Sequence, residues 1–275
     1  MRLALPLLAV ALCACEGTEG TLVVRHPGAA GAGAEPGDVY LPEAGARWLA
    51  QLDGAVDTAQ MADFFYLDPE QQPPGGLASL HEQGRHYICY LSAGTVENFR
   101  DDAELFPERA VGNVMQGFPN ERWLDVRDAE VQRLMALRIQ RLAQAGCDGV
   151  VPASLTGYAA ESGFDLSVAD TLRYARFLAE QLHAAGLSAG LTGPAELTAE
   201  LWSSFDFGLA ISCVRGSQCA EFGVFATAKK PVLYLEVGAE GEALELCNSA
   251  DALGFQAIIS DPGFTGRCVV CRDIL

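Results

Sequence analysis

Strand-length runs of apolar residues without polar alternation constrain this chain more than any other feature. "DFFYLD" (63–68), "HYICYLSAG" (86–94), "GVVPAS" (149–154), "FDFGLAIS" (205–212), "PVLYLEVG" (231–238) and "FQAIISD" (255–261) are of this kind. A strand with one wet face alternates, so such runs must be covered on both faces, as parallel strands are by helices. Helical patterns fill the gaps. Asp128 is placed to cap a helix that presents Val131, Leu134, Met135, Ile139 and Leu142 on one face and stops at Gly146. Ser167 and Asp170 have capping-box spacing ahead of a helix that buries Leu172, Ala175, Leu178 and Leu182 and ends at Gly186. With "RWLAQLDG" (47–54), "RWLDVR" (122–127) and "SAGLTG" (188–193) there are nine strand candidates. Repeated βα units over this length predict an α/β fold, a (β/α)8 barrel with one strand as an extra or edge strand. A doubly wound open sheet is the alternative, but no GxGxxG follows an early strand.

The N-terminus carries an address. "MRLALPLLAVALCACEG" has one basic residue, an apolar run and small residues before a cysteine. It reads as a secretory signal over 1–15, with Leu12-Cys13-Ala14-Cys15 resembling a bacterial lipobox that would lipidate Cys15. Cys13 is an unusual occupant of that motif, so simple signal cleavage is the other reading. Residues 16–46, rich in Gly, Ala, Glu and Pro, read as a flexible tether to a domain at 47–275. The expected location is extracytoplasmic, with a membrane contact through the lipid anchor only. Export permits disulfides among Cys89, Cys147, Cys213, Cys219, Cys247, Cys268 and Cys271. Their odd number leaves at least one free or paired between chains. Cys213 with Cys219 is the preferred bridge, Cys89 and Cys147 read as buried thiols, and the lone CxxC at Cys268 and Cys271 reads as disulfide chemistry rather than a zinc site.

The formal charge of −18 argues against nucleic acid and against an anionic membrane surface. A neutral or cationic partner is better tolerated. The chain shows no HExxH, GxSxG or P-loop and no spacing suited to a metal cage, so neither cofactor nor metal is expected.

"WLAQLDGAVDT", "ICYLSAGTVENFRDDAELFP", "WLDVR", "GCDGVVP", "GYAAESGFDLSVAD" and "FDF" resemble glycoside hydrolase family 114, the endo-α-1,4-polygalactosaminidase-like proteins, from about Trp48 to Cys268. The resemblance implies a secreted barrel with its site at the C-terminal strand ends and a substrate able to carry positive charge, an amino-sugar polysaccharide. Glycoside hydrolysis commonly uses two carboxylates, one protonating the leaving oxygen and one attacking or activating water. By position the candidates are Asp53, Asp68, Glu97, Asp125, Glu236 and Asp261. Asp68 falls where the family keeps an Asp and is the catalytic candidate. Tyr90, Ser92, Glu97, Arg100, Asp125, Arg127, Tyr158 and Glu236 also match; of these Tyr90, Ser92, Asp125, Arg127, Tyr158 and Glu236 are the substrate-binding candidates. Bland roles compete with these. Asp125 and Arg127 suit a rim salt bridge, Glu97 and Arg100 a solvated pair, and Tyr90 the core.

Other positions depart from the family pattern. Where its members read Glu-Pro-Asp-Asn and a further Asp, this chain has Val151, Pro152, Ala153, Ser154 and then Thr156. A later Asn-Glu becomes Ala210-Ile211, a Lys-Asn becomes Thr192-Gly193, and one Asp becomes Tyr66. The expectation is a degenerate hydrolase site that binds amino-sugar polysaccharide without turnover, in a cleft more apolar than a hydrolase's. One alternative is an active glycosidase with a relocated pair, such as Asp68 with Asp53 or Glu236. The other is a protein-interaction module.

Overall fold

The structure, a computed structural model, describes residues 39–238 and 240–275. The signal, Cys15 and all of the tether before residue 39 lie outside the described residues. Twelve strands are found among the described residues: β1 (Trp48–Gln51), β2 (Phe64–Leu67), β3 (His86–Ser92), β4 (Thr95–Glu97), β5 (Val111–Met115), β6 (Phe118–Leu124), β7 (Gly149–Ala153), β8 (Ser188–Leu191), β9 (Phe207–Ile211), β10 (Val232–Val237), β11 (Gln256–Ser260) and β12 (Cys268–Val270). They form a nine-stranded sheet in the order β1-β2-β3-β7-β8-β9-β10-β11-β12 and a three-stranded sheet in the order β4-β6-β5.

Eight of the nine strands run parallel, as their unbroken apolar character predicts. The surplus strand of the sequence reading is the run at 122–127: its first half belongs to β6, in the separate antiparallel sheet. The barrel closes indirectly. β12 lies antiparallel on β11, and the loop before it meets β1, where Leu52 and Asp53 both donate to the Phe264 carbonyl, at 2.9 and 3.2 Å. Gln51 bridges to Thr265, and Trp48 Nε1 donates to the Gln256 carbonyl at 3.1 Å.

Two glycines identify the faces of the sheet. A Cβ on Gly190 would strike Phe207 and Val151, so those side chains meet inside the barrel. A Cβ on Gly208, one residue on from Phe207, would meet Phe222 and Phe225 of the outer layer. Period-two alternation then puts Val151, Ala153, Leu209 and Ile211 inside and Ala210 outside. Register carries the inner face to Tyr66, Tyr90 and Ser92.

The helices begin where capping predicts. Asp128 accepts from Glu130 N ahead of Ala129–Gln144, and Ser167 with Asp170 forms a full capping box ahead of Val168–Ala184. Arg138, buried on the first of these, ties it to the barrel. Its guanidinium is bidentate on Asp102 at 2.6 and 3.0 Å and reaches the Ser92 carbonyl at 3.3 Å. Arg141 pairs with the same carboxylate.

Three disulfides occur among the described residues, fitting an oxidising, extracytoplasmic compartment. Cys213–Cys219 is the expected bridge. Cys89–Cys147 corrects the reading of two buried thiols: β3 and β7 are parallel neighbours, which brings the two Cα atoms to 5.9 Å. The CxxC does not close on itself. Cys271 bonds Cys247 on the helix Ala243–Asp251, while Cys268 is free, its Sγ turned to the Ala50 carbonyl of β1. No helix among the described residues is long and apolar enough to cross a membrane.

Burial opposes ionisation of Asp102, but hydrogen bonds and charge from Arg138 and Arg141 outweigh it and lower its pKa to about 2. A carboxylate whose folded pKa lies below its unfolded value, about 4, stabilises the protein fully above that value and loses the contribution as pH falls toward about 2. Asp102→Asn is expected to cost about 3 kcal/mol near neutrality, since it strands a buried guanidinium. Urea unfolding should show the gap to wild type narrowing between pH 5 and about 2.5; a gap independent of pH would refute the ion-pair account.

Candidate active site

The end of β2 delivers Asp68, and local geometry occupies it at once. Its Oδ1 accepts Glu70 N at 3.0 Å, capping the turn Pro69–Gln71. Arg100 grips the same carboxylate with two bonds, at 2.7 and 3.1 Å. Arg100 Nε reaches Glu97 at 2.6 Å and Nη1 reaches Glu70 at 3.2 Å. Glu97 and Arg100 are therefore not a solvated pair: their residues are 5% and 9% exposed. The i,i+3 spacing holds, but the small sheet and the loop after β2 cover it. Burial lowers the Arg100 pKa, and the bonds it donates to Asp68 and Glu97 more than reverse that, so the cation is permanent.

A second chain of polar groups runs beside the first. The hydroxyls of Ser92 and Thr95 lie 2.5 Å apart, and Thr95 donates to Glu121 at 2.9 Å. Glu121 stands opposite Glu97 in the β4–β6 register. Burial and then the charge of Glu97 raise its pKa against the pull of Thr95 and Arg100. Tyr90 is half-buried, not core, its pKa raised by burial and then by Glu97 and Glu121. A cleft of about 480 Å³ opens beside these strand ends, lined by Asp68, Tyr90, Ser92, Glu97 and Arg100 on one side and by Asp102, Arg138 and Leu142 on the other. Charged side chains stand along it, and none of Val151, Ala153, Thr156 and Ile211, where the apolar cleft was expected, borders it.

The positions that depart from the family pattern fall at the other strand ends. Ala153 pairs with Ser92 and Ile211 with Leu235, both on the inner face at the C-terminal mouth. Ile211 is 40% exposed there, an apolar group facing solvent. Val151 is fully buried one turn of alternation deeper, paired with Tyr90 on the same face. The ends of β7 and β9 are each followed by a left-handed serine, Ser154 at φ 62° and Ser212 at φ 52°. A Cβ on Gly94 would fall 1.7 Å from the Ser154 carbonyl, so glycine is required there for the loop after β3 to lie against the end of β7. Ala210 is buried on the outer face, and Thr192 and Gly193 continue β8 into its loop. Thr156 ends the approach to the turn Gly157–Ala159 without capping it.

The remaining candidates are dispersed. Asp125 and Arg127 form a bidentate pair at 2.8 and 2.9 Å, and Arg127 also reaches the Asp165 carbonyl. The bond from Arg127 holds the Asp125 pKa below the ordinary range. Glu236 is fully buried on the face it shares with Tyr234, which register aligns with outward-facing Ala210. It accepts from the Tyr234 hydroxyl and from Val237 N, with Arg215 at 3.4 Å. Asp53 is exposed, and Asp261 organises its own loop through Gly263 N, Thr265 N and the Thr265 hydroxyl. Tyr158 at the mouth donates to Glu196, an exposed carboxylate on the turn Ala195–Leu197 after β8. Sequence reasoning passed over Glu196, Glu121 and the Asp102–Arg138 pair, whose partners are set by sheet pairing and loop folding rather than by spacing.

The comparisons bear on this geometry. The chain is similar to Aspergillus fumigatus Ega3, seen in complex with galactosamine, with 27% identity, a TM-score of 0.79 and coverage of 84% of this chain and 97% of that one. It shares the fold of the glycoside hydrolase domain of PelA from Pseudomonas aeruginosa, at 16% identity and TM-score 0.65 over 82% and 98% of the two chains. It also shares the fold of the Thermus thermophilus α-galactosidase TtGalA, at 13% identity and TM-score 0.52 over 83% and 60%. No curated relative matches the sequence. Residues 28–275 match Glycoside-hydrolase family GH114, and the chain belongs to that family.

Proposed function

We propose that this protein is an extracytoplasmic, lipid-anchored GH114 barrel that binds amino-sugar polysaccharide without turnover. The observation that carries the reading is the chemistry of the mouth. Ala153 and Ile211, the inner-face residues at the ends of β7 and β9, supply no ionisable group, and the retained Asp68 is locked by Arg100 and a backbone N–H. A carboxylate with three of its four acceptor sites taken by a guanidinium and a backbone N–H is held in a structural bracket, which disfavours its use on a sugar carbon. Glu236 is spent in the same way on the outer face. Binding remains reasonable. The cleft by β2 and β3 has five carboxylates against three guanidinium groups in its lining, which favours a cationic amino sugar. Tyr158 offers a ring face at the mouth. Galactosamine bound to the similar Ega3 supports the sugar class. Lipidation rests on the lipobox-like Cys15.

The second reading, an active glycosidase with relocated acids, is favoured by one observation. Glu196 stands at the mouth and holds the Tyr158 hydroxyl, whose pKa burial and Glu196 raise. Glu196 is the acid that reading requires.

Two outcomes are expected. Asp68→Asn should lower the unfolding free energy by about 3 kcal/mol in urea, because Arg100 keeps a buried charge with a weaker partner; an unchanged stability would release Asp68 for chemistry. Calorimetric titration with α-1,4-linked galactosamine oligomers should show binding, weakened about tenfold in Tyr158→Ala by loss of ring contact. Absence of any binding to wild type would end the sugar reading.

A further inference from the structure

We propose that His81, His86 and Asp148 form a site for a divalent cation of the zinc class on the N-terminal face of the barrel, at the end opposite the mouth. The three residues come from separate elements: His81 from the short helix Ala78–Glu82, His86 from the first position of β3, and Asp148 from the residue before β7. One ligand atom of each lies within 4.8 Å of the others. His81 Nε2 is 2.9 Å from Asp148 Oδ2, and His86 Nδ1 is 3.1 Å from Oδ1.

Three features distinguish this cluster from an ordinary histidine–carboxylate contact. First, His86 Nδ1 is enclosed and makes no hydrogen bond, although it faces the carboxylate, so its lone pair or proton is aimed into the cluster without being satisfied. Second, the ligands are oriented from behind. Tyr40 stacks on the His86 ring at 3.9 Å, Tyr87 stacks on His81 at 4.8 Å, and Tyr87 N donates to Asp148 Oδ2 at 2.9 Å. Outer groups of this kind fix the rings and the carboxylate of a metal site. Third, the donor set of two imidazoles and one carboxylate is what zinc and similar borderline cations take, with a fourth position left for water. Ligands at zinc bond lengths in a tetrahedron sit about 3.3 Å apart, so the two histidine–carboxylate contacts open by a few tenths of an ångström while the widest separation, up to 4.8 Å, closes by about 1.5 Å through rotation of the half-exposed imidazoles.

The sequence gives no hint of it, because Asp148 is 62 residues from His86 and reaches it only through the parallel pairing of β3 with β7. The ion would join the two strands that Cys89–Cys147 also links, so its role is to fasten the barrel rather than to act on sugar. His183 with Asp206 supplies an internal control: one imidazole on one carboxylate, which also accepts Ala189 N.

The test uses untagged protein and zinc chloride. At a zinc concentration about a hundredfold above Kd, Tm should rise by about 5 to 10 °C. Calorimetry should give one zinc per chain lost on chelation. His81→Ala and His86→Ala should each weaken zinc binding at least tenfold, while His183→Ala leaves it unchanged. His81 is exposed, so its variant remains informative if His86→Ala does not fold. No zinc-dependent rise in wild type, or an equal rise in His81→Ala, overturns the proposal.

Discussion

One buried cation organises the rim where this barrel's chemistry would be sited. Arg100 holds Asp68 with two bonds and Glu97 with a third, and reaches out to Glu70. Removing a guanidinium and two carboxylates from water is costly, and only near-complete mutual satisfaction offsets it. The result is a rigid bracket joining the loop after β2 to the loop after β4. The three-stranded sheet rests on that bracket, and Thr95 and Glu121 extend it. Arg138 repeats the device one layer out, fastening a helix to Asp102 and to the Ser92 carbonyl.

The bracket explains why a retained acid is not evidence of retained chemistry. At the ends of β7 and β9 the inner-face side chains carry no charge. Left-handed serines at 154 and 212 turn the chain and Gly94 admits the end of β7, while Ala153 and Ile211 face the mouth. Uncharged side chains at both strand ends support the proposal of a barrel that holds a sugar without cleaving it.

Much of the fold was legible because parallel strands covered on both faces leave unbroken apolar runs. All eight parallel barrel strands were found in this way, and capping residues located the two long helices. β12 escaped notice at three residues, and the run at 122–127 was apolar enough to pass for a barrel strand although it pairs elsewhere. Contacts between distant segments were not legible. The Cys89–Cys147 bond follows from the β3–β7 register, and the burial of Glu97 and Arg100 follows from a small sheet that no periodicity announces. At the site, sequence reasoning named Asp68 and Arg100 but not that they bind each other. It gave Glu236 a place at a strand end without seeing that it faces outward.

The account stands on the claim that the mouth holds no working acid pair. Mass spectrometry of partially deacetylated α-1,4-galactosaminan oligomers, incubated for a day with stoichiometric purified protein and with Glu196→Gln in parallel, tests it most directly. The account predicts intact oligomers in both. Shorter products with wild type that vanish with Glu196→Gln would contradict it and make Glu196 part of a relocated catalytic pair.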